Sequence, residues 1–209
     1  MSLPEKPLYF VHITKTGGTS IENAALEFNV TWGMHCELTR ERLRKKAEEG
    51  AVWHLPLDEW SDEDFAFLKQ ERRLFTVVRD PMERVVSEYR CEFGNQFGPA
   101  ITRWGFNRIV LRYLIAVIRN ENIAAVGHWV PQHKYVYRKG HQEVKKILSF
   151  SRLKSDFENF CQSEELPFVL PHARKGRKDD YSKDHLYWMT KLLVYFVYRK
   201  DYLLLRKFF

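Results

Sequence analysis

The sequence predicts an α/β fold of three layers, in which helices cover both faces of a mostly parallel central sheet. Three short apolar runs indicate buried strands, at Leu8–Ile13, Leu74–Val78 and Ile147–Phe150. Each run leads through a loop into a helical pattern, and strands that alternate with helices favour parallel pairing. The chain has 209 residues, of which 44% are hydrophobic, so we expect one compact domain over residues 1–209 rather than two.

Capping patterns and helical spacing place the other elements. Ser61, with Asp64 three residues later, begins a helix that extends to about Gln70. Pro81 suits the first turn of a helix over Met82–Glu92. Thr19–Phe28 continues the first strand and its turn as a helix. A short strand is expected at Val52–Leu55, and further helices are expected at Leu38–Glu49, Phe106–Arg119, Lys154–Cys161 and Lys183–Tyr198.

The strongest local pattern is the turn between the first strand and the first helix, with the sequence KTGGTS. Its two glycines let backbone N–H groups approach an anion closely, and the helix N-terminus adds unpaired donors and the positive end of the helix dipole. A lysine and three hydroxyls add further donors. The turn therefore predicts a P-loop-like phosphate or sulfate cradle made of Lys15, Thr16, Gly17, Gly18, Thr19 and Ser20.

A second anion site is predicted where the second strand ends. Arg79 stands at the carboxyl end of that strand, the edge at which parallel sheets usually bind ligands. Ser87 lies about two turns into the following helix and is placed to point back toward the same crevice. A guanidinium and a hydroxyl that converge there suit a second phosphate.

The two motifs in this order resemble those of sulfotransferases that use 3′-phosphoadenosine 5′-phosphosulfate (PAPS). The resemblance covers most of the chain and is closest to the carbohydrate branch that includes heparan sulfate 2-O-sulfotransferases. Two later segments are similar to family segments: Gly127–Gln132, and the stretch from Leu170 through Tyr181 and Ser182 to the last helix.

The resemblance implies a division of labour. The KTGGTS turn would hold the 5′-phosphosulfate, Lys15 would neutralise the bridging oxygen as the bond breaks, and Arg79 with Ser87 would hold the 3′-phosphate of the donor. PAPS would be the co-substrate, the bisphosphate PAP the product, and no metal would be needed. The basic stretch that resembles the family's nucleotide-covering loop contains Arg174, Lys175 and Gly176.

His54 is the first candidate for the base that deprotonates the acceptor hydroxyl. Its placement is similar to that of a histidine in the 2-O-sulfotransferase branch, where a glycine often precedes it; here Trp53 does. His12, His35 and Glu22 are the next candidates.

Charge and hydropathy bound the partners. The formal net charge of +7 favours anionic partners, and together with the resemblance it indicates an anionic glycan as the hydroxyl acceptor. The cluster Arg40–Lys46 is expected to bind it. No nucleic-acid motif is present. We expect no membrane insertion, and a cytoplasmic protein as written or a Golgi-luminal one if an N-terminal anchor was removed.

Two other functions stay open at this stage. An ATP-dependent small-molecule kinase would use the same cradle, but in the Walker A motif the lysine follows the last glycine, whereas Lys15 precedes both glycines. A non-catalytic module that binds acidic glycans or nucleic acid would explain the charge without any chemistry.

Overall fold

The computed structural model of the chain describes residues 6–36, 52–121, 123–125, 127–171 and 181–209. These residues form eight α-helices and five strands. The strands are β1 (Leu8–Phe10), β2 (Arg73–Val78), β3 (Tyr137–Arg138), β4 (His141–Gln142) and β5 (Lys146–Ser149). The helices are α1 (Gly18–Leu26), α2 (Asp62–Glu71), α3 (Pro81–Tyr89), α4 (Arg103–Arg119), α5 (His133–Val136), α6 (Leu153–Ser163), α7 (Trp188–Val197) and α8 (Arg199–Phe208).

The central sheet is parallel, as the alternation of strands and helices predicts. Its order is β1–β2–β5, so β2 lies in the middle. Leu8 stands opposite Arg73, and Phe75 stands opposite Lys146. The strands β3 and β4 form a separate antiparallel hairpin. All three parallel strands therefore deliver their following loops to one edge of the sheet, where the KTGGTS turn and Arg79 lie.

Helices cover both faces of this sheet, which confirms the three-layer prediction. Side chains from alternate strand positions enter two separate apolar clusters, because successive residues of a strand point to opposite faces. One face packs against α2, α5 and α8, and the other packs against α1 and α6. The first face includes Tyr9, Leu74, Ile147, Phe65, Tyr135 and Leu204, and the second includes Phe10, Phe75, Leu148, Ile21 and Phe157.

A third apolar cluster joins α3, α4 and α7. Phe106, Val110 and Val194 are fully buried in it, and Tyr113 stacks on Trp129 with ring centroids 4.5 Å apart. This cluster anchors α3 at the sheet edge, which fixes the direction of the polar face that α3 turns toward the site.

Two predicted helix starts are confirmed by their caps. The Ser61 hydroxyl accepts a hydrogen bond of 3.0 Å from the Asp64 N–H, and α2 begins at the next residue. The Asp80 carboxylate accepts one of 3.0 Å from the Glu83 N–H, with Pro81 in the first turn of α3. Each cap satisfies a donor that the helix itself leaves unpaired.

Two sequence predictions were wrong. Val52–His54 is a turn of 3₁₀ helix rather than a strand. Its last carbonyl accepts the Tyr135 hydroxyl at 2.8 Å, so a side chain takes the place of a ladder partner. The predicted helix Lys183–Tyr198 is a 3₁₀ turn at Lys183–His185 followed by α7, and the chain continues as α8.

Other expectations lie outside the described residues. These are the helix at Leu38–Glu49, the cluster Arg40–Lys46 and the loop residues Arg174, Lys175 and Gly176. Over the ranges that are described, no helix has the length and apolar character needed to cross a membrane.

Candidate active site

The KTGGTS turn joins the end of β1 to the start of α1. Lys15 and Gly17 have positive φ angles of 61° and 89°, so the backbone turns through left-handed conformations. Gly17 is the N-cap residue of α1, and no side chain caps the helix there. The first N–H groups of a helix have no partner within it. The start of α1 therefore leaves backbone N–H donors without a partner inside the helix, which is compatible with an anion there.

Neither glycine of the turn has room for a side chain. A Cβ atom on Gly18 would lie 2.5 Å from His12 Nε2, and one on Gly17 would lie 2.8 Å from Leu153 Cδ2 and 3.2 Å from Phe150 Cε2. The turn is thus closed in by a histidine on one side and by the segment after β5 on the other. Both glycines are required for packing, and Gly17 is required for its left-handed backbone as well.

The three hydroxyls of the turn have different surroundings. Thr16 is fully buried, and its hydroxyl donates to the Ile13 carbonyl at 2.9 Å. The hydroxyl proton of Thr16 is therefore used in a hydrogen bond that stabilises the turn. Thr19 is exposed and Ser20 is half-buried in the first turn of α1. These two hydroxyls are the ones left to reach an anion beside the helix start.

Arg79 lies against the turn, as its position after β2 predicts. Its Nη1 donates to the Lys15 carbonyl at 3.3 Å, and its guanidinium lies 4.1 Å above the Phe150 ring. Gln132 holds the Arg79 backbone: the Arg79 N–H donates to Gln132 Oε1, and Gln132 Nε2 donates to the Arg79 carbonyl, both at 2.8 Å.

The guanidinium of Arg79 keeps an unused donor. Its Nε is buried and has no hydrogen-bond partner among the described residues, and Glu83 Oε2 lies 3.6 Å away. Burial lowers the pKa of Arg79 while Glu83 raises it, and the net shift is downward. An arginine stays charged under such a shift. A buried guanidinium N–H that faces Glu83 only at 3.6 Å and makes no hydrogen bond among the described residues fits an anionic ligand.

No hydrogen bond joins Ser87 to Arg79 among the described residues. Ser87 is half-buried on α3, on the helix face that also carries Glu83 and Arg90. Lys183 Nζ donates to Glu83 Oε1 at 3.1 Å, and Arg90 donates to the Tyr181 carbonyl. Ser87 therefore lies between two contacts to the segment that precedes α7, and its hydroxyl has no hydrogen-bond partner in the part of the chain that is described.

Three histidines form a group beside the turn. The His12 and His54 rings are 4.4 Å apart, centroid to centroid, and those of His54 and His128 are 6.0 Å apart. Buried carboxylates hold the outer two. His12 Nδ1 donates to Glu22 Oε1 at 2.9 Å, and His128 Nδ1 donates to Glu88 Oε2 at 2.5 Å. The predicted base thus lies between two histidines whose ring orientations are fixed.

The tautomer of His54 follows from its neighbours. Trp53 Nε1, which can only donate, contacts His54 Nε2 at 3.1 Å, so this nitrogen carries the lone pair. His54 Nδ1 then carries the proton and donates to the His12 carbonyl at 3.3 Å. Burial, and after it the electrostatic effect of His12, holds the pKa of His54 well below 6.5. His54 is therefore neutral at pH 7, with its lone pair on Nε2.

The comparison with protein families identifies the chain. The model of the sulfotransferase family matches residues 2–206. The chain belongs to the sulfotransferase family. Comparisons with curated proteins and with solved structures gave no match.

A deeply buried polar network of this sulfotransferase was missed by the sequence analysis. Arg84 and Glu88 are both buried on α3, 3.2 Å apart. Arg84 donates to the Thr14 carbonyl at 3.0 Å and to the Val130 carbonyl at 2.7 Å, and the Thr14 hydroxyl donates to Glu88. The spacing of four residues on a helix was a usable signal for the pair. Nothing local indicated that it would be buried.

This network joins Thr14, the residue before the KTGGTS turn, to α3 and to the segment that contains His128. Burial alone would raise the pKa of Glu88, but the hydrogen bond from His128 and the charge of Arg84 lower it, and the net shift is downward from 4.5. Glu88 is therefore a carboxylate at neutral pH. Gly127 has a φ of 82° and runs so close to His54 that a Cβ atom on it would lie 2.5 Å from His54 Cβ.

Proposed function

We propose that the chain transfers a sulfuryl group from PAPS to a hydroxyl of a carbohydrate. The observation that carries the proposal is the buried Nε of Arg79, which makes no hydrogen bond among the described residues, beside the uncapped start of α1. Membership of the sulfotransferase family supports sulfuryl transfer over the kinase alternative. Family membership also favours an enzyme over a module that only binds acidic glycans or nucleic acid.

Two groups of donors suit the two anionic ends of the proposed co-substrate. The backbone N–H groups of Gly18 and Thr19, with the hydroxyls of Thr19 and Ser20, would hold the 5′-phosphosulfate, because a helix N-terminus favours negative charge. Arg79 would contribute charge-assisted hydrogen bonds to the 3′-phosphate, and Ser87 would complete that side. The predicted loop residues Arg174, Lys175 and Gly176 stay candidates for the same side.

The proposed reaction is an in-line displacement at sulfur. The acceptor oxygen forms a bond to sulfur, the bond from sulfur to the bridging phosphate oxygen breaks, and its electron pair stays on the phosphate of the leaving bisphosphate. The co-substrate supplies the activated sulfuryl group. Lys15 would place its ammonium near the leaving oxygen, where charge that develops in the transition state is best stabilised.

His54 would take the proton from the acceptor hydroxyl. Its neutral state and the lone pair on Nε2 satisfy the requirement for a general base. The indole N–H of Trp53 holds that lone pair, so the acceptor hydroxyl must replace the indole as hydrogen-bond donor. Trp53 thus protects the base until an acceptor binds, and His12 and His128 keep the ring in place from both sides.

A transfer assay tests this function. The chain is incubated with PAPS labelled with ³⁵S and with separate neutral and acidic oligosaccharides, and labelled product is resolved by chromatography. We expect label in an oligosaccharide, stoichiometric release of PAP, and no transfer by Arg79→Ala. Transfer to small phenols alone would reject the carbohydrate acceptor, and ATP-dependent phosphorylation without sulfation would reject the donor.

A further inference from the structure

A cavity of about 490 Å³ opens between α5, α8 and the β3–β4 hairpin. His133, Lys134 and Tyr137 line one side, and Lys200, Leu203, Leu204 and Lys207 line the other, with Asp58 and Gly140 at its rim. The hypothesis from sequence assigns none of these residues. The cavity is large enough for one or two sugar rings, since ligand sites begin at about 300 Å³.

The charge of the lining is strongly one-sided. Three ammonium groups face a single carboxylate, that of Asp58, which accepts the Lys139 N–H at 3.0 Å. Lys207 Nζ donates to Gln142 Oε1 at 2.8 Å. Lys134 and Lys200 form no ion pair or side-chain hydrogen bond with any described residue. Two strongly hydrated point charges are thus available to an anionic group.

The wall of the cavity is held rigid by a buried carboxylate. Asp201 is fully buried and accepts hydrogen bonds from the Gln132 N–H at 2.7 Å, the His133 N–H at 2.9 Å and His133 Nδ1 at 2.9 Å. Nδ1 of His133 therefore carries a proton, which leaves Nε2 as the ring nitrogen for a ligand. In the neutral imidazole that nitrogen accepts a hydrogen bond, and a ligand hydroxyl is a suitable donor.

The remaining lining is apolar. Leu204 is buried, Leu203 is exposed, and the Tyr137 ring is half-buried. A ligand that satisfies every part of this lining has a negative group, a hydroxyl and an apolar ring face. We propose that the cavity binds an acidic sugar residue, a uronate or a sulfated hexosamine. Lys134 and Lys200 bind its anionic group, His133 accepts from a hydroxyl, and Tyr137 with Leu203 packs against the ring.

The cavity also adjoins the proposed donor site through one residue. Gln132 holds the Arg79 backbone on one side and precedes His133 of the cavity wall on the other. Gln132 and His133 thus hold the Arg79 backbone and the cavity wall from adjacent positions of one segment. The role as an acceptor subsite depends on the proposed function, whereas binding of an acidic sugar does not.

Calorimetry with four probes tests the proposal. The probes are a heparin-derived tetrasaccharide, the neutral tetrasaccharide of N-acetylglucosamine, inorganic sulfate and PAP, each at 0.15 M salt. The double variant Lys134→Gln/Lys200→Gln is compared with Lys145→Gln/Lys191→Gln, which removes the same charge from lysines that do not line the cavity. We expect the cavity variant to raise the Kd of the acidic tetrasaccharide by about tenfold or more, because a hydrogen bond to a charged group contributes about 1.5–3 kcal/mol.

The control variant and the other three probes distinguish an acidic sugar from other ligands of the cavity. The control variant should change that Kd little, and the neutral tetrasaccharide should bind neither form. An equal loss in both variants would mean diffuse attraction to a basic surface and would overturn the site. Tight binding of inorganic sulfate with the same lysine dependence would mean a free anion and would overturn the sugar. PAP binding should be the same in all forms, and its failure in the wild type would contradict the donor proposal alone.

Discussion

The residues around His54 determine the tautomer and the charge of its imidazole. The indole of Trp53 and the carbonyl of His12 fix its tautomer, and burial removes its charge. The sequence marked Trp53 only as a departure from the glycine common in the similar branch. Its contact with Nε2 depends on a 3₁₀ turn that the sequence predicted as a strand, so this role was not predictable from the pattern of residues alone.

Replacing His54 should abolish turnover without loss of donor binding. His54→Gln keeps a polar side chain but cannot accept the acceptor proton, so we expect kcat to fall by about 10²–10⁴-fold with the Kd of PAP unchanged. His141→Gln is the matched control, since His141 is exposed in the hairpin. Near-normal turnover of His54→Gln would place the base elsewhere, with His12 the next to test.

The pH profile should carry the same signature. Because the pKa of His54 lies below 6.5, the imidazole is deprotonated at neutral pH and is protonated only in more acidic solution. Activity should therefore be constant through neutral pH and should fall only well below pH 6.5. Trp53→Phe removes the donor that favours the neutral form, so the acidic limb should move to higher pH. The profiles of kcat measured between pH 4 and 8 are the test, and a limb unmoved by Trp53→Phe contradicts the assigned hydrogen bond.

Among the helices and strands, those features that depend on neighbouring residues in the chain were predicted from the sequence. The starts of α2 and α3 follow from Ser61 and from Pro81, and the three parallel strands follow from their apolar runs. The separation of α7 from α8 did not follow, because it depends on distant contacts. Tyr198 donates to the Trp129 carbonyl at 2.8 Å, and Asp201 binds the segment at Gln132.

The start of α1 should tolerate no methyl group at Gly18. The Ala side chain would fall 2.5 Å from His12 Nε2, so either the ring or the turn must move. We expect Gly18→Ala to weaken PAP binding by at least about tenfold, since the donors of the turn lose their alignment. Gly105→Ala, in the first turn of α4, is the control because its Cβ would meet neighbours only at 3.3 Å. Unchanged PAP affinity in Gly18→Ala would show that the turn does not bind the donor.

The buried network of Glu88, Arg84 and His128 should dominate the stability of the fold against acid. Glu88→Gln leaves Arg84 and His128 buried without their carboxylate, which should lower the free energy of unfolding at pH 7 by about 3–5 kcal/mol. The pKa of Glu88 lies below 4.5, so this stabilisation is present above that pH and is lost as the pH falls through the folded-state pKa. Chemical denaturation at pH 7 and pH 4 measures both effects. Glu121→Gln, at an exposed ion pair with Arg119, should change neither.

At the scale of the whole molecule, the site is assembled from segments far apart in the chain. Long-range contacts join Thr14 to Glu88, Lys15 to Arg79, and His54 to His12. The sequence predicted Lys15, Arg79 and His54 individually, since each follows a local motif or a resemblance. It did not predict Arg84, Glu88 and His128 as one buried network, because their meeting depends on how α3 crosses the sheet edge.

If this sheet edge binds a 3′,5′-bisphosphate, that ligand should raise the temperature at which the protein unfolds. PAP at about 100 times its Kd should stabilise the fold by about 2.7 kcal/mol, which for a domain of this size raises Tm by roughly 5–10 °C. No metal should be needed, ATP with Mg²⁺ should give a much smaller shift, and Arg79→Ala should remove most of the PAP shift while Arg119→Ala keeps it. A full shift with ATP and Mg²⁺, and none with PAP, would contradict the account.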